Sequence, residues 1–191
     1  MITNQPQPFE SGLEGAAPQQ WYGPDAPDGD RGPWVNAPIG STYWKKTATQ
    51  VTQYVKEKSD GADNDWSVRW GEIRQTVLFS AFTDGGSAAG TKALTETLPV
   101  GAWVLRSVLR NVTGFTGDTS AVITVGDGTD VDRYNTGTPS VFTTANAIDL
   151  GAPSGTQIHT AAATVTLTVT SASDFTAVAA GSLTISIYYL G

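Results

Sequence analysis

His159 is the sole histidine among 191 residues, and the chain has no cysteine. Nucleophilic catalysis by a serine, histidine and acid would therefore have to run through His159. It stands in Gln157-Ile158-His159-Thr160, in phase with Ala161, Ala163 and Val165. That is the inward phase of an expected strand, where a histidine has a structural role. A second group is Asp127, Asp130 and Asp132 in the run Gly126-Asp127-Gly128-Thr129-Asp130-Val131-Asp132-Arg133-Tyr134. Carboxylate oxygens suit a hard cation, but a calcium loop needs Asp-x-Asp-x-Asp-Gly and a closing glutamate. The spacing Asp-x-x-Asp-x-Asp, repeated at Asp25/Asp28/Asp30 and Asp60/Asp63/Asp65, lacks both. Aspartates of this kind accept hydrogen bonds from their own backbone in turns, and Arg133 provides a counter-charge. The expectation is turn formation, with no metal and no cofactor.

The third group is aromatic. Five of the six tryptophans, Trp21, Trp34, Trp44, Trp66 and Trp70, precede residue 71. They could stack on sugar rings or act as buried anchors, and tryptophan is mostly buried. No Gly-x-Ser-x-Gly elbow, phosphate loop or dinucleotide fingerprint is present. Without cysteine, disulfides and thiol catalysis are excluded, and one histidine excludes multi-histidine metal sites. Eighteen acids against 11 bases leave a net charge of −7, which disfavours a nucleic-acid partner. No stretch approaches the ~20 apolar residues of a membrane span. Met1-Ile2-Thr3-Asn4-Gln5 has neither the basic nor the apolar region of a secretory signal, so synthesis in the cytoplasm is expected. No enzymatic activity is expected.

Three regions must position these groups. Residues 1–38 hold seven of the ten prolines, five acids and one base, Arg31. Proline fixes its own φ and extends the residue before it, so this region reads as an extended arm. Phe9, Leu13, Trp21, Tyr22 and Trp34 are unusual in such a segment. Aromatics on a stiff, extended chain predict docking on a partner's surface, ahead of the arm folding back over its own domain.

Residues 39–72 read as a small three-stranded β unit, with strands over 40–46, 50–58 and 66–70 and a turn over 59–65. Period-two phase puts Trp66, Val68 and Trp70 on one face. So short a unit cannot close a core alone. The unit must therefore pack on the next domain or on copies of itself, and Trp44, Tyr54, Trp66 and Trp70 are the residues expected to meet such copies.

Residues 73–191 read as a β-sandwich of jelly-roll type, which makes the chain all-β. Leu183, Ile185, Ile187 and Tyr189 alternate with Thr184, Ser186 and Tyr188, and Val165, Leu167 and Val169 alternate with threonines. Such alternation marks strands with one face in a core. Further strands are expected over 73–82, 91–98, 102–113, 119–125 and 141–148.

Two segments carry a family resemblance. Ala37-Pro38-Ile39-Gly40-Ser41-Thr42-Tyr43-Trp44, followed by Gln53-Tyr54-Val55-Lys56 and Asp65-Trp66, resembles a short β motif of tailed-phage head and tail fibre proteins. Thr97-Leu98-Pro99, Arg110-Asn111-Val112-Thr113, the run from Val125 to Tyr134, and Ile185-Ser186-Ile187-Tyr188-Tyr189 resemble the sandwich of phage capsid decoration (cement) and head-fibre-like proteins. The resemblance implies a non-enzymatic virion protein, usually a homotrimer, on the outer capsid surface and bound to the major capsid protein. With it, residues 1–38 become an arm along the shell. The alternative is a tail- or fibre-associated receptor-binding protein that holds a glycan.

Overall fold

The computed structural model describes residues 18–27, 37–58, 66–153 and 158–191. Phe9, Leu13, Trp34, Asp28, Asp30 and the 60/63/65 aspartates lie outside these. The described chain is all-β, and it divides into two compact units, Met1–Gly71 with Gly191, and Glu72–Leu190. No helix among the described residues is long and apolar enough to cross a membrane.

In the first unit, β1 (Gln20–Gly23), β2 (Thr42–Lys46), β3 (Gln50–Lys56) and the start of β4 (Trp66–Leu78) neighbour one another in that order. β2 and β3 form an antiparallel hairpin. The Thr47 hydroxyl closes its turn by accepting the Gln50 N–H at 2.9 Å. β1 was not expected within a proline-rich arm. It runs parallel to β2, with Trp21 opposite Tyr43 and Tyr22 opposite Trp44. The physical reason is local: residues 20–23 contain no proline, so each N–H can join a ladder, and Pro24 then ends the strand.

The second unit is a β-sandwich. One sheet has the order β4-β11-β7-β9, with β7 at Trp103–Thr113, β9 at Ala145–Asp149 and β11 at Ser182–Leu190. The other is β5-β6-β10-β8, with β5 at Thr83–Asp84, β6 at Ala89–Leu98, β8 at Ala121–Gly126 and β10 at Ala163–Ser171. Ile73, Val77, Leu109, Leu183, Ile185 and Ile187 of the first sheet are buried, as are Leu98, Ile123, Val125, Val165, Leu167 and Val169 of the second. These are the residues of the period-two alternation, each side chain packed between layers. Phe79, Phe82, Phe115 and Phe175 fill one region of this core with ring centroids 5.6–6.2 Å apart. Gly90 lies against the Phe175 ring, where a Cβ would collide with it.

Three boundaries differ from expectation. The strands expected over 66–70 and 73–82 are one strand, β4, because Gly71 has neither a turn partner nor a proline beside it to stop the ladder. That strand ends at Leu78, where a short 3-10 turn over Phe79–Ala81 follows. The strand expected from 141 begins at Ala145. Val141 is buried and tied instead to Ala121 and Phe115 by backbone bonds of 3.0 and 2.8 Å.

Candidate functional site

The aspartate run is a turn held by its own groups. Asp127 Oδ1 accepts the N–H groups of Thr129 and Asp130 at 3.0 and 2.9 Å, and Oδ2 accepts from Arg133 at 2.8 Å. Burial opposes the Asp127 charge, but these hydrogen bonds and the guanidinium prevail and hold its pKa below the usual value. Asp130 accepts the N–H of Asp132 at 3.3 Å. The turn also positions Asn135, which is buried and whose carbonyl accepts the Val125 N–H at 2.7 Å. Both Asp127 oxygens are thus turned inward onto this turn.

His159 is buried just before β10, and its Nε2 lies 2.9 Å from the Tyr134 hydroxyl rather than beside a serine. Burial and the nearby Arg133 lower the imidazole pKa from 6.5, keeping it neutral. Burial raises that of the Tyr134 phenol. A neutral histidine hydrogen-bonded to a neutral tyrosine joins β10's approach to the aspartate turn.

The aromatic residues of the first unit separate onto two faces. Trp21, Tyr43 and Trp66 are buried together with Ala37, and Tyr54 packs against them. Tyr43 stands edge-on to Trp66 and to Tyr54, at 6.2 and 6.4 Å. Lys56 is buried beside them, its ammonium 6.0 Å from the Trp66 ring. On the opposite face Trp44 meets Trp70 edge-on at 5.4 Å, and both are half-buried. Tyr22, opposite Trp44 in the β1/β2 register, is 58% exposed.

This sorting corrects two expectations. Trp21, read as an anchor for a partner, lies in this chain's own cluster because the parallel register sets it beside Tyr43. Trp66 and Trp70 do not share a face, since they meet Tyr43 and Trp44, which are consecutive on β2 and so point opposite ways. The set Trp44, Tyr54, Trp66 and Trp70 is thus split. Trp66 and Tyr54 belong to the closed face, while Trp44 and Trp70 belong to the open one with Tyr22. The indole N–H groups of Trp21, Trp44 and Trp66 are buried and have no acceptor among the described residues.

A further concave feature had no counterpart in the sequence expectations. On the outer face of the β11-β7-β9 sheet, Leu105, Arg106, Val108, Arg110, Ala147 and Tyr188 line an open groove of about 660 Å³. Register places Tyr188 opposite Arg106, Ser186 opposite Val108 and Thr184 opposite Arg110. Arg110 donates to the Tyr188 hydroxyl at 2.8 Å. Arg106 pairs with Asp149 at 2.7 Å and Arg74 with Glu72 at 2.8 Å. The available signal was Arg106 and Arg110 at even spacing on a strand, with Tyr188 in the outward phase of the last strand.

No protein-family model matches the sequence, and no curated protein matches it. A solved structure similar to this chain is the cyanophage Pam1 capsid asymmetric unit, at 23% identity and a TM-score of 0.39, over 63% of this chain and 84% of that one. A likeness of that depth does not establish function.

Proposed function

We propose that this chain is a non-enzymatic structural protein of a tailed-phage particle, decorating the outer capsid surface by binding major capsid subunits. The observation that carries the proposal is the open face of the first unit. Tyr22, Trp44 and Trp70 share one side of a small sheet and are incompletely covered by their own unit. Large aromatics contribute about 2–3 kcal/mol each when fully buried, and tryptophan and tyrosine dominate protein interfaces. Copies of the chain, arranged as a homotrimer, would cover the Trp44 and Trp70 part of that face. Tyr22, with Phe9, Leu13 and Trp34 of the arm, then remains for the capsid partner. The groups capable of chemistry, His159 and the aspartate run, are engaged in structural bonds. The resemblance of residues 37–44 and 53–56 to phage fibre motifs points the same way.

The experiment is quantitative densitometry of purified particles, with surface biotinylation of intact ones. Hundreds of biotin-accessible copies per particle support decoration. A handful of copies favours the tail-associated, glycan-binding alternative, and absence from particles overturns a virion role.

A further inference from the structure

We infer that the Arg110–Tyr188 groove receives an aspartate or glutamate side chain from a neighbouring protein subunit of the particle, with Arg110 as its ion-pair partner. The inference rests on the structural role proposed above and names the chemistry by which the sandwich would join a partner.

Charge is the first observation. In a chain of net charge −7, three guanidiniums gather on one sheet face with two carboxylates. Glu72 answers Arg74, and Asp149 answers Arg106. Arg110 donates to the Tyr188 hydroxyl and meets no carboxylate among the described residues. Arginine remains charged at every physiological pH. A half-buried guanidinium without a counter-ion is costly unless a partner supplies one.

Unsatisfied polar atoms are the second. Arg110 Nε is shielded from water and has no acceptor among the described residues, and neither has the Ser186 hydroxyl. Ser186 occupies the row between Arg110 and Tyr188, opposite Val108, so the bond from Arg110 to Tyr188 spans it. A carboxylate beside the guanidinium would supply acceptor oxygens in the two-pronged geometry that arginine favours. Tyr188, itself also hydrogen-bonded to Arg74, holds the Arg110 fork in place before any partner arrives.

The rim distinguishes a protein side chain from a free anion. Leu105 is 42% exposed at the edge of the groove, and Trp103, two residues along β7, is 41% exposed. Arginine and tyrosine beside exposed apolar side chains have the composition of a protein interface core. Asp149 and Glu72 at its margin repel a stray carboxylate and favour one delivered in a fixed orientation.

The test uses the full chain. In an NMR titration, the blocked peptide acetyl-Gly-Glu-Gly-amide should shift the Arg110 Nε–H and the amides of residues 106–110 and 186–188, saturating at about 1 mM or above. The matching Gln peptide should not. Arg110→Gln should abolish the response and Arg110→Lys should keep part of it, each with an unchanged melting temperature. Tyr188→Phe should weaken the response several-fold. On particles, Arg110→Gln should reduce co-sedimentation at least tenfold. A Glu-peptide response that survives Arg110→Gln overturns the inference, as does glucuronate binding more tightly than the peptide, which would make the groove a saccharide site. If Arg110→Gln co-sediments as well as the natural chain, the groove proposal fails while decoration stands. If the natural chain does not co-sediment at all, decoration fails, and the peptide titration alone still decides whether the groove takes a carboxylate side chain.

Discussion

The second unit folds its apolar residues between two sheets, whereas the first has a single sheet with aromatics on both sides. In the sandwich, Leu183, Ile185 and Ile187 find Val165, Leu167 and Val169 as the opposing layer, and all six are fully buried. In the first unit, the Trp21–Tyr43–Trp66 face is covered, but the Tyr22–Trp44–Trp70 face is only partly covered. Both regions obey the same alternation rule. What separates them is a second sheet, which the described residues of the first unit do not form.

The sharpest contrast is expected from core truncation. Phe175→Ala empties a site among Phe79, Phe82 and Gly90, and should destabilise the second unit by about 3–5 kcal/mol. Denaturant melts followed by circular dichroism would measure it. A loss below about 1 kcal/mol would show that the sandwich core is loosely packed.

Asp127→Ala removes an acceptor for two backbone N–H groups and the partner of Arg133. It should cost about 2 kcal/mol, as expected for charge-assisted bonds that are partly buried. EDTA should leave the natural protein's melting unchanged. A midpoint that falls in EDTA and recovers with calcium would make the turn a metal site after all.

A smaller effect should appear as pH dependence. His159 is neutral in the folded chain, with its pKa below 6.5, so the unfolded chain takes up its proton first as pH falls. Its contribution is complete above about 6.5 and is lost as pH falls through the folded value. Asp127, whose folded pKa is also lowered, acts in the same direction but only below about 4. His159→Gln should therefore flatten the stability profile between pH 7 and 5 and leave the acid limb in place. An unchanged slope in that window would remove His159 from the account.

The least effect on the isolated fold is expected from Trp44→Ala, about 1 kcal/mol, because the side chain is only half-buried. Its effect on self-association should be far larger, at least tenfold by analytical ultracentrifugation. If the natural chain is a stable monomer at micromolar concentration, the open face does not serve to join copies.

How far the sequence reveals this molecule depends on the range of the forces involved. The strands of the sandwich core are legible because alternation is local, as in Val165 to Val169. The aspartate turn and the structural role of His159 are legible for the same reason. β1 is not, because its ladder depends on β2, about 20 positions away, and the surrounding prolines mask it. The division of Trp66 from Trp70 is equally hidden, since period two predicts one face and only their partners on β2 reveal two. The Arg110 groove escaped notice because outward residues on separate strands, Arg110 and Tyr188, are joined only by register.

If other chains complete the first unit's open face, as proposed, its amide exchange must change on the particle while that of the sandwich interior does not. Hydrogen exchange of the full chain, free and on purified particles, tests it most directly. The account predicts added protection on particles at residues 20–23, 42–46 and 66–70, with residues 163–171 already protected in the free chain and unchanged. Equal exchange in the first unit in both states, or a chain that is absent from particles, would contradict it.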